Sequence, residues 1–403
     1  MKLEIIKKLI ENSKRPVVLA GSGINISGTQ KELLKFVKKN SLPIVTAWAH
    51  DIYPNNDQLY YGRQGSIGNR VGNFIVQYAD LVLVLGSRLN IRQTSYNWKE
   101  FAKNAIIISV DVDSLELKKN LIKINYKIQM DLKNFFIKIN KLIIKNKNKN
   151  NVLKWSKWIN WCNFIRSKFT PKLEDYKKYH GKINIYHFII TLFKLLKKNE
   201  IIVAADGTAT VVPNQVGYLN KNIRYIANSG SASMGFELPA SIGAAIADRK
   251  KKIICLAGDG SIMMNLQELQ TIKSLNLNII IFLINNDGYL SIKQTQKNFF
   301  GKEHGSSPKS GLTFPNFLKI AKSFNIQSYD LKHKNWEKQL KKIIALKKGP
   351  LFVNINVDTK QEFEPKLKSK TVNNKIVTPS LENMYPFLSD KTNKMILKKL
   401  NEE

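Results

Sequence analysis

AGDGSIMMNLQELQTIKSLNLNIIIFLINNDGY, residues 257–289, sets a Gly-Asp-Gly at one end and an Asn-Asn-Asp-Gly at the other. Between them lie the parts of one strand–helix–strand unit. KIICLAG (252–258) and NIIIFLIN (278–285) are short apolar runs bounded by turn signals, the pattern of strands buried on both faces. SIMMNLQELQTIKSL reads as a helix beginning at Ser261, with Met263, Leu266, Leu269, Ile272 and Leu275 along one face. A crossover of this kind returns its second strand parallel to the first. Asp259 and Asn286, remote in the chain, then emerge together at the carboxyl edge of the sheet. Open α/β sheets bind their ligands at that edge.

The chemistry placed there is specific. Asp259 supplies a carboxylate, Asn286 an amide oxygen and the turn at Gly288 a backbone carbonyl. Hard oxygens around a small volume suit Mg²⁺, whose octahedral shell phosphate oxygens and water can complete. A helix starting at Ser261 would aim unpaired N–H groups at the same place. Gly258 and Gly260 remove side chains, so that an anion can approach the backbone. The expected site is one for a metal-bound diphosphate.

Working outward, the same alternation of strands and helices recurs. LEIIKKLIENS opens the chain as a helix. RPVVLAGSGINISG follows as a buried strand and glycine turn, leading to a helix from about Gln30 to Lys39. LPIVTAW (42–48), ADLVLVLGSRL and AIIISVDVD add three more strands to this half. EIIVAAD (200–206) and PLFVNINVD (350–358) add two to the other. The expected fold class is α/β, as two layered domains with mostly parallel sheets. Between them, KNKNKNNVLKWSKW has the composition of a solvated linker, and Trp155, Trp158 and Trp161 recur at helical spacing as a packing face.

Composition excludes several classes. Of 403 residues 43% are apolar, far from a disordered composition, and no apolar run approaches the roughly 20 residues of a membrane span. The formal charge of +35 invites a nucleic-acid reading. Its lysines, however, are spread along the whole chain beside Asn and Ile, residues with A/T-rich codons, and a charge run alone specifies no base contact. Nucleotide bias is the simpler cause, so neither nucleic acid nor membrane is expected as a partner. Cys162 and Cys255 are too few for a disulfide framework, and the five histidines show no metal-ligand spacing. MKLEIIKKLI has a charge within its apolar part and no small-residue cleavage site, so no signal peptide is read. The cytoplasm, or an organelle matrix, is the expected location.

GDGS followed at this distance by Asn-Asn, with strands on both sides, resembles the cofactor signature of thiamine-diphosphate-dependent enzymes. NSGSASMGFELPASIGAAIA (228–247) is similar to their segment ending in Met-Gly-x-x-Leu-Pro-Ala. The resemblance implies thiamine diphosphate and Mg²⁺ as cofactors. Met234 would prop the cofactor in a bent shape, a use that suits a bulky, polarisable side chain, with core filling as the alternative. ADGTATVVPNQ (205–215) sits where relatives bring a loop to the diphosphate, which nominates Gly207 and Thr208. Gly258, Gly260 and Ser261 join them as cofactor contacts; Asp259, Asn286 and Gly288 would hold the metal.

Within that family the acetolactate synthase large subunits resemble this chain best. YYGRQGSIGNRVGNFIVQYADLVLVLGSRLN (60–90) looks like their central domain and LENMYPFLS (381–389) like their tail. The implied organisation is a central Rossmann-like domain (1–145), a linker and helical connection (146–182), a thiamine-diphosphate-binding domain (183–360) and a C-terminal tail (361–403). The implied activity is decarboxylation of a 2-oxo acid with carboligation, a step in branched-chain amino acid biosynthesis, in a homo-oligomer. GSGINISG (21–28), with GSR at 86–88 and DVD at 111–113, lies where relatives bind FAD or nothing, which leaves FAD open.

Two departures qualify the resemblance. The family's first, pyrimidine-binding domain holds the glutamate that protonates the aminopyrimidine ring, and no residue here takes that part. A separate chain or a longer reading frame would supply it, and a non-catalytic cofactor-binding subunit or decayed paralogue is the rival reading. Thr295 stands where full acetolactate synthases carry a tryptophan that shapes the second-substrate pocket. Gln294 and Gln296 are either substrate contacts or part of a solvated helix face.

Overall fold

The computed structural model describes residues 2–49, 51–144, 154–219, 223–346, 349–373 and 375–402. Residues 145–153, the Lys/Asn-rich part of the expected linker, lie outside them. The chain divides into two compact units, Met1–Thr170 with Glu364–Glu403, and Pro171–Phe363.

In the first unit the apolar runs become the middle of a six-stranded sheet. Its strands are β1 (Pro16–Ala20), β2 (Ile44–Thr46), β3 (Tyr60–Arg63), β4 (Leu81–Leu85), β5 (Ile106–Asp111) and β6 (Tyr126–Gln129). They lie in the order β3-β2-β1-β4-β5-β6, and every neighbouring pair is parallel. Val17, Val18 and Leu19 of β1 and Val82, Leu83 and Val84 of β4 are buried, as strands covered on both faces require. The strand order reverses between β1 and β4, the arrangement of dinucleotide-binding folds.

The tryptophans form the packing face their spacing implied. Trp155, Trp158 and Trp161 are buried, and the rings of Trp158 and Trp161 stack with centroids 5.1 Å apart. Their indole N–H groups donate to the carbonyls of Ser13, Pro16 and Ile396, so no buried donor is stranded. Residues 364–403 also run over this unit. Lys366 and Tyr385 exchange backbone hydrogen bonds of 2.9 and 2.7 Å, and Asn73 Nδ2 donates to the Leu381 carbonyl. A short antiparallel hairpin, β13 (Lys370–Val372) with β14 (Lys375–Val377), lies within this stretch.

The second unit holds β7 (Ile201–Ala204), β8 (Arg224–Ala227), β9 (Ile253–Gly258), β10 (Ile279–Asn285), β11 (Gln327–Leu331) and β12 (Leu351–Asn356). The order is β11-β12-β10-β9-β7-β8, again parallel throughout. Ile253 through Ala257 and Ile279 through Ile284 are all buried. β8 lies on one side of β7 and β9 on the other, so the direction of winding reverses between β7 and β9. A crevice is expected at the carboxyl ends of those strands.

The crossover helix differs from expectation. It begins at Asp259, not Ser261, and breaks into a helical turn (Asp259–Ile262), a 3₁₀ turn (Met263–Asn265) and a helix (Glu268–Ser274). Its inner face starts one residue earlier, at Ile262, and continues through the partly buried Leu266 to Leu269 and Ile272. Met263 and Leu275 are instead 37% and 39% exposed. The buried residues keep ordinary helical spacing, so it is the register of the stripe, set one residue earlier, that differs. Among the described residues no helix is long and apolar enough to cross a membrane.

Candidate functional site

The turns after β7, β9 and β10 line one cleft in the second unit. Asp206, Gly207 and Thr208 come from the first, Gly258 through Ser261 from the second, and Asn286, Gly288 and Tyr289 from the third; Met234 joins them. The nine nominated residues are thus brought together. Asp206, Ile284, Tyr289, Leu290, Ser291 and Ile292 also line the cleft. Sequence reasoning missed these six, and only their adjacency to the two motifs could have pointed to them.

Asp259 ties the turns to one another. Its Oδ2 accepts the backbone N–H of Asn286 at 2.9 Å and of Gly288 at 3.2 Å, while Oδ1 accepts that of Gly260 at 2.7 Å. The carboxyl group is buried, and desolvation pushes its pKa up to about 6 against the pull of those three N–H groups.

The Asn286 amide has two orientations. With its nitrogen toward Thr208 Oγ1, at 3.4 Å, its oxygen lies 2.8 Å from the Gly288 carbonyl and 3.2 Å from Asp259 Oδ2. Three acceptors then face one another with no proton between them, an arrangement that a bound cation would hold. The separations match the edge of about 2.9 Å that oxygens 2.0–2.1 Å from Mg²⁺ would span in an octahedron. Turned over, the amide donates to both oxygens instead. Among the described residues His, Cys, Asp and Glu nowhere gather in a group of three fit for a metal. One carboxylate, one amide and one carbonyl are a hard-oxygen set, suited to Mg²⁺ rather than Zn²⁺.

Charge points the same way. The chain has 65 lysines and arginines, yet none lines this cleft; its ionisable groups are Asp206, Asp259 and the Tyr289 phenol. A diphosphate would be repelled by the two carboxylates unless a divalent cation lay between.

The glycines divide by purpose. A Cβ on Gly207 would meet nothing within 4 Å, and one on Gly258 only Ser261 Cβ at 3.8 Å, so the space beside both is open, as an anion requires. Gly260 is glycine for a reason other than anion approach. A Cβ there would stand 2.1 Å from Cε1 of Tyr289, whose ring lies against the turn. Ser261 spends its hydroxyl away from the cleft, donating to Glu237 Oε2 at 2.8 Å and accepting the Gly235 N–H at 2.9 Å.

The residues named for the second substrate lie apart. Thr295, Gln294 and Gln296 do not line the cleft. Gln296 is tied to the following loop, accepting the His304 N–H at 3.1 Å and the Ser306 hydroxyl at 2.9 Å. In the first unit the Gly21–Gly23 turn is closed by its own backbone. Gly21 N–H donates to the Leu85 carbonyl at 2.9 Å, Gly23 N–H to that of Gly86 at 3.0 Å and Ile24 N–H to that of Gly21 at 3.1 Å. A Cβ on Gly21 would sit 2.3 Å from the Gly86 oxygen. These glycines serve close backbone packing, and those amides are not free for a dinucleotide. Asp111 and Asp113 likewise accept the N–H groups of Asp113 and Leu115 in their own turn.

Glu237, at the start of the helix Glu237–Ala247, lies fully buried beneath the site. Burial pushes its carboxyl up to about 7, with the charge of Asp206 adding to the rise and the Ser261 hydroxyl opposing it. Cys255 is its other ionisable neighbour, and burial pushes that thiol up as well. A raised folded pKa means that the folded chain holds a proton the unfolded chain has released. Stability therefore falls as pH rises from about 4.5 to 7. Glu237→Gln, neutral throughout, is expected to gain on the order of 2–3 kcal/mol over the natural chain at pH 8 and nothing at pH 4.5. Urea unfolding of both proteins at the two pH values checks this; a difference independent of pH would contradict it.

Comparison with known proteins agrees with this geometry. Residues 206–355 match the model of the thiamine pyrophosphate enzyme C-terminal TPP-binding domain, and residues 3–139 that of the central domain. The acetolactate synthase large subunit of Buchnera aphidicola (subsp. Schizaphis graminum) is 31% identical over 363 residues, 89% of this chain and 62% of that protein. The isozyme 1 large subunit of Escherichia coli K12 is 30% identical, over 92% of this chain and 63% of its own length. Acetolactate synthase 1 of Zea mays, a chloroplast protein, is 29% identical over 91% and 57%. The chain thus spans a little under two thirds of the length of these curated relatives.

Proposed function

Because this chain belongs to the thiamine pyrophosphate enzymes, carrying their central and C-terminal domains, we propose that its cleft binds thiamine diphosphate through Mg²⁺ and serves 2-oxo acid decarboxylation with carboligation, as in an acetolactate synthase. The observation that carries this reading is the convergence of the Asp259 carboxylate, the Asn286 side-chain amide and the Gly288 carbonyl in a cleft lined by no cationic side chain. Those three would hold the metal. Gly207, Thr208, Gly258, Gly260 and Ser261 would border the diphosphate, and Met234 the rings. When bound, the cofactor supplies the electron sink that loss of CO₂ from a 2-oxo acid needs.

The chain's own residues supply position and charge. Thr208 Oγ1, 3.4 Å from the Asn286 amide nitrogen, would orient that amide with its oxygen toward a bound metal. Asp259 keeps the turns after β9 and β10 in register and contributes the anionic ligand. The curated relatives named large subunits support an assembly with a second chain, and their greater length supports a pyrimidine-binding domain from outside these 403 residues. The closed Gly21–Gly23 turn gives no support to FAD, so none is included. A cytoplasmic homo-oligomer completes the proposal.

Following CO₂ release from pyruvate and other 2-oxo acids tests it, with the pyrimidine-binding domain present. Release that requires both thiamine diphosphate and Mg²⁺ is the expected result. Cofactor binding without release from any acid would leave only a binding role; no binding would end the proposal.

A further inference from the structure

Glu237 is 0% exposed, and apart from the pull of its own backbone N–H on the carboxyl its Oε1 meets no hydrogen-bond partner. A buried carboxyl with an idle oxygen is costly, so what its other oxygen does is informative. That oxygen accepts the Ser261 hydroxyl at 2.8 Å. The same hydroxyl accepts the Gly235 N–H at 2.9 Å, and Asn265 Nδ2 donates to the Gly235 carbonyl at 2.8 Å. Both backbone groups of the residue after Met234 are therefore held by side chains from the helical turns that follow Asp259.

Gly235 is built for this grip. Its φ is +82°, and a Cβ would come within 2.6 Å of Met264 Cβ and 2.8 Å of Asn265 Nδ2. A serine hydroxyl has one proton to give and two lone pairs to receive with. It can face its lone pair to Gly235 only while its proton goes elsewhere, and Glu237 takes it.

We propose that Glu237 is a positioning residue: by fixing the Ser261 hydroxyl it locks the Met234 turn to the Asp259 turn, so that the ring side and the diphosphate side of the site are held in one geometry. This rests on the cleft taking thiamine diphosphate. The carboxyl needs no contact with the cofactor, since Ser261 and Gly235 carry its effect. Loss of the acceptor would free the Ser261 rotamer and leave the Gly235 N–H unpaired, loosening Met234 while the metal ligands stay in place.

Two ligands separate this role from a structural one. Thiamine diphosphate needs both sides of the site, whereas inorganic pyrophosphate with Mg²⁺ needs only the Asp259 side. Glu237→Met fills the same volume without an acceptor, and Glu237→Gln restores one. In titrations of the full chain, Glu237→Met is expected to weaken thiamine diphosphate about tenfold while leaving Mg²⁺-pyrophosphate within about twofold. Glu237→Gln is expected to bind both as the natural chain does. Unchanged thiamine diphosphate affinity in Glu237→Met, or equal loss of both ligands, would overturn the inference. Should Glu237→Met fail to fold, a Glu237→Gln variant weakened for thiamine diphosphate as much as for pyrophosphate would overturn it equally. If the natural chain bound neither ligand, the cofactor reading itself would fall instead.

Discussion

Asp259→Ala is expected to abolish Mg²⁺-dependent binding of thiamine diphosphate, with affinity lower by more than about 100-fold. Outer-shell partners of a metal site already cost 10–100-fold when removed, and Asp259 is proposed for the inner shell. Its carboxylate is the one anionic ligand in the set, and it also holds the N–H groups of Asn286 and Gly288 that place the other two oxygens. Stability should change much less. The substitution leaves three N–H groups beside an open cleft, where water can replace the carboxylate, and it removes a charge whose burial raised its pKa to about 6. These effects oppose each other. Isothermal titration with the cofactor, alongside thermal unfolding of the metal-free chain, separates them. Asn286→Ala should lose binding similarly. Retained affinity in both variants would show that the metal sits elsewhere.

The glycines on either side of Asp259 should part company when each becomes alanine. Gly260→Ala places a methyl 2.1 Å from Cε1 and 2.6 Å from Cδ1 of Tyr289. The ring has little freedom to retreat: its backbone N–H is bonded to the Ser306 carbonyl at 3.0 Å, and the ring packs in a T-shaped contact with Phe314, centroids 6.1 Å apart. Overpacking of this kind costs about 1–3 kcal/mol. The only relief is for Tyr289 to swing, and because Tyr289 lines the cleft, cofactor affinity should fall as well. Gly258 has an ordinary extended backbone, φ −92° and ψ 150°, with open space at its Cβ. Gly258→Ala should leave stability within about 0.5 kcal/mol of the natural chain, as a substitution without clash does. It should still weaken pyrophosphate binding if the open space is where the anion lies. Urea unfolding and pyrophosphate titration of both variants check the contrast; equal destabilisation, or no loss of binding by Gly258→Ala, would refute it.

The strands that sequence made legible are the buried ones. IIIFLIN and LVLVL are continuous apolar runs because both faces are covered, and parallel sheets select such runs. Within the two six-stranded sheets, the four strands not read, β3, β6, β8 and β11, are the outer ones. YKIQ, RYIA and QSYDL are short and mostly exposed or half-exposed, as edges tend to be. YYGR is buried, but Gly62 and Arg63 disguise it.

The site was legible where chemistry and topology coincide. Asp259 and Asn286 could be paired because a strand–helix–strand unit dictates where its ends emerge. Contacts that depend on side-chain direction were not legible. Nothing in GDGS tells that the serine hydroxyl turns inward, or that Tyr289 fills the space above Gly260. Glu237 in FELPASIGAAIA reads as an acidic residue complementing a helix N-terminus, and its complete burial emerges only when the helix packs on the sheet. The Gly21–Gly28 pattern leaves FAD open for a related reason, since glycines that admit a ligand and glycines that admit another backbone look alike in sequence.

Calorimetric titration of thiamine diphosphate into the full chain, with Mg²⁺ and again with EDTA, is the most direct measurement. Saturable one-site binding that vanishes with the metal is the result expected if Asp259, Asn286 and Gly288 grip a cation. Binding equally tight in EDTA, or none in Mg²⁺, would contradict it.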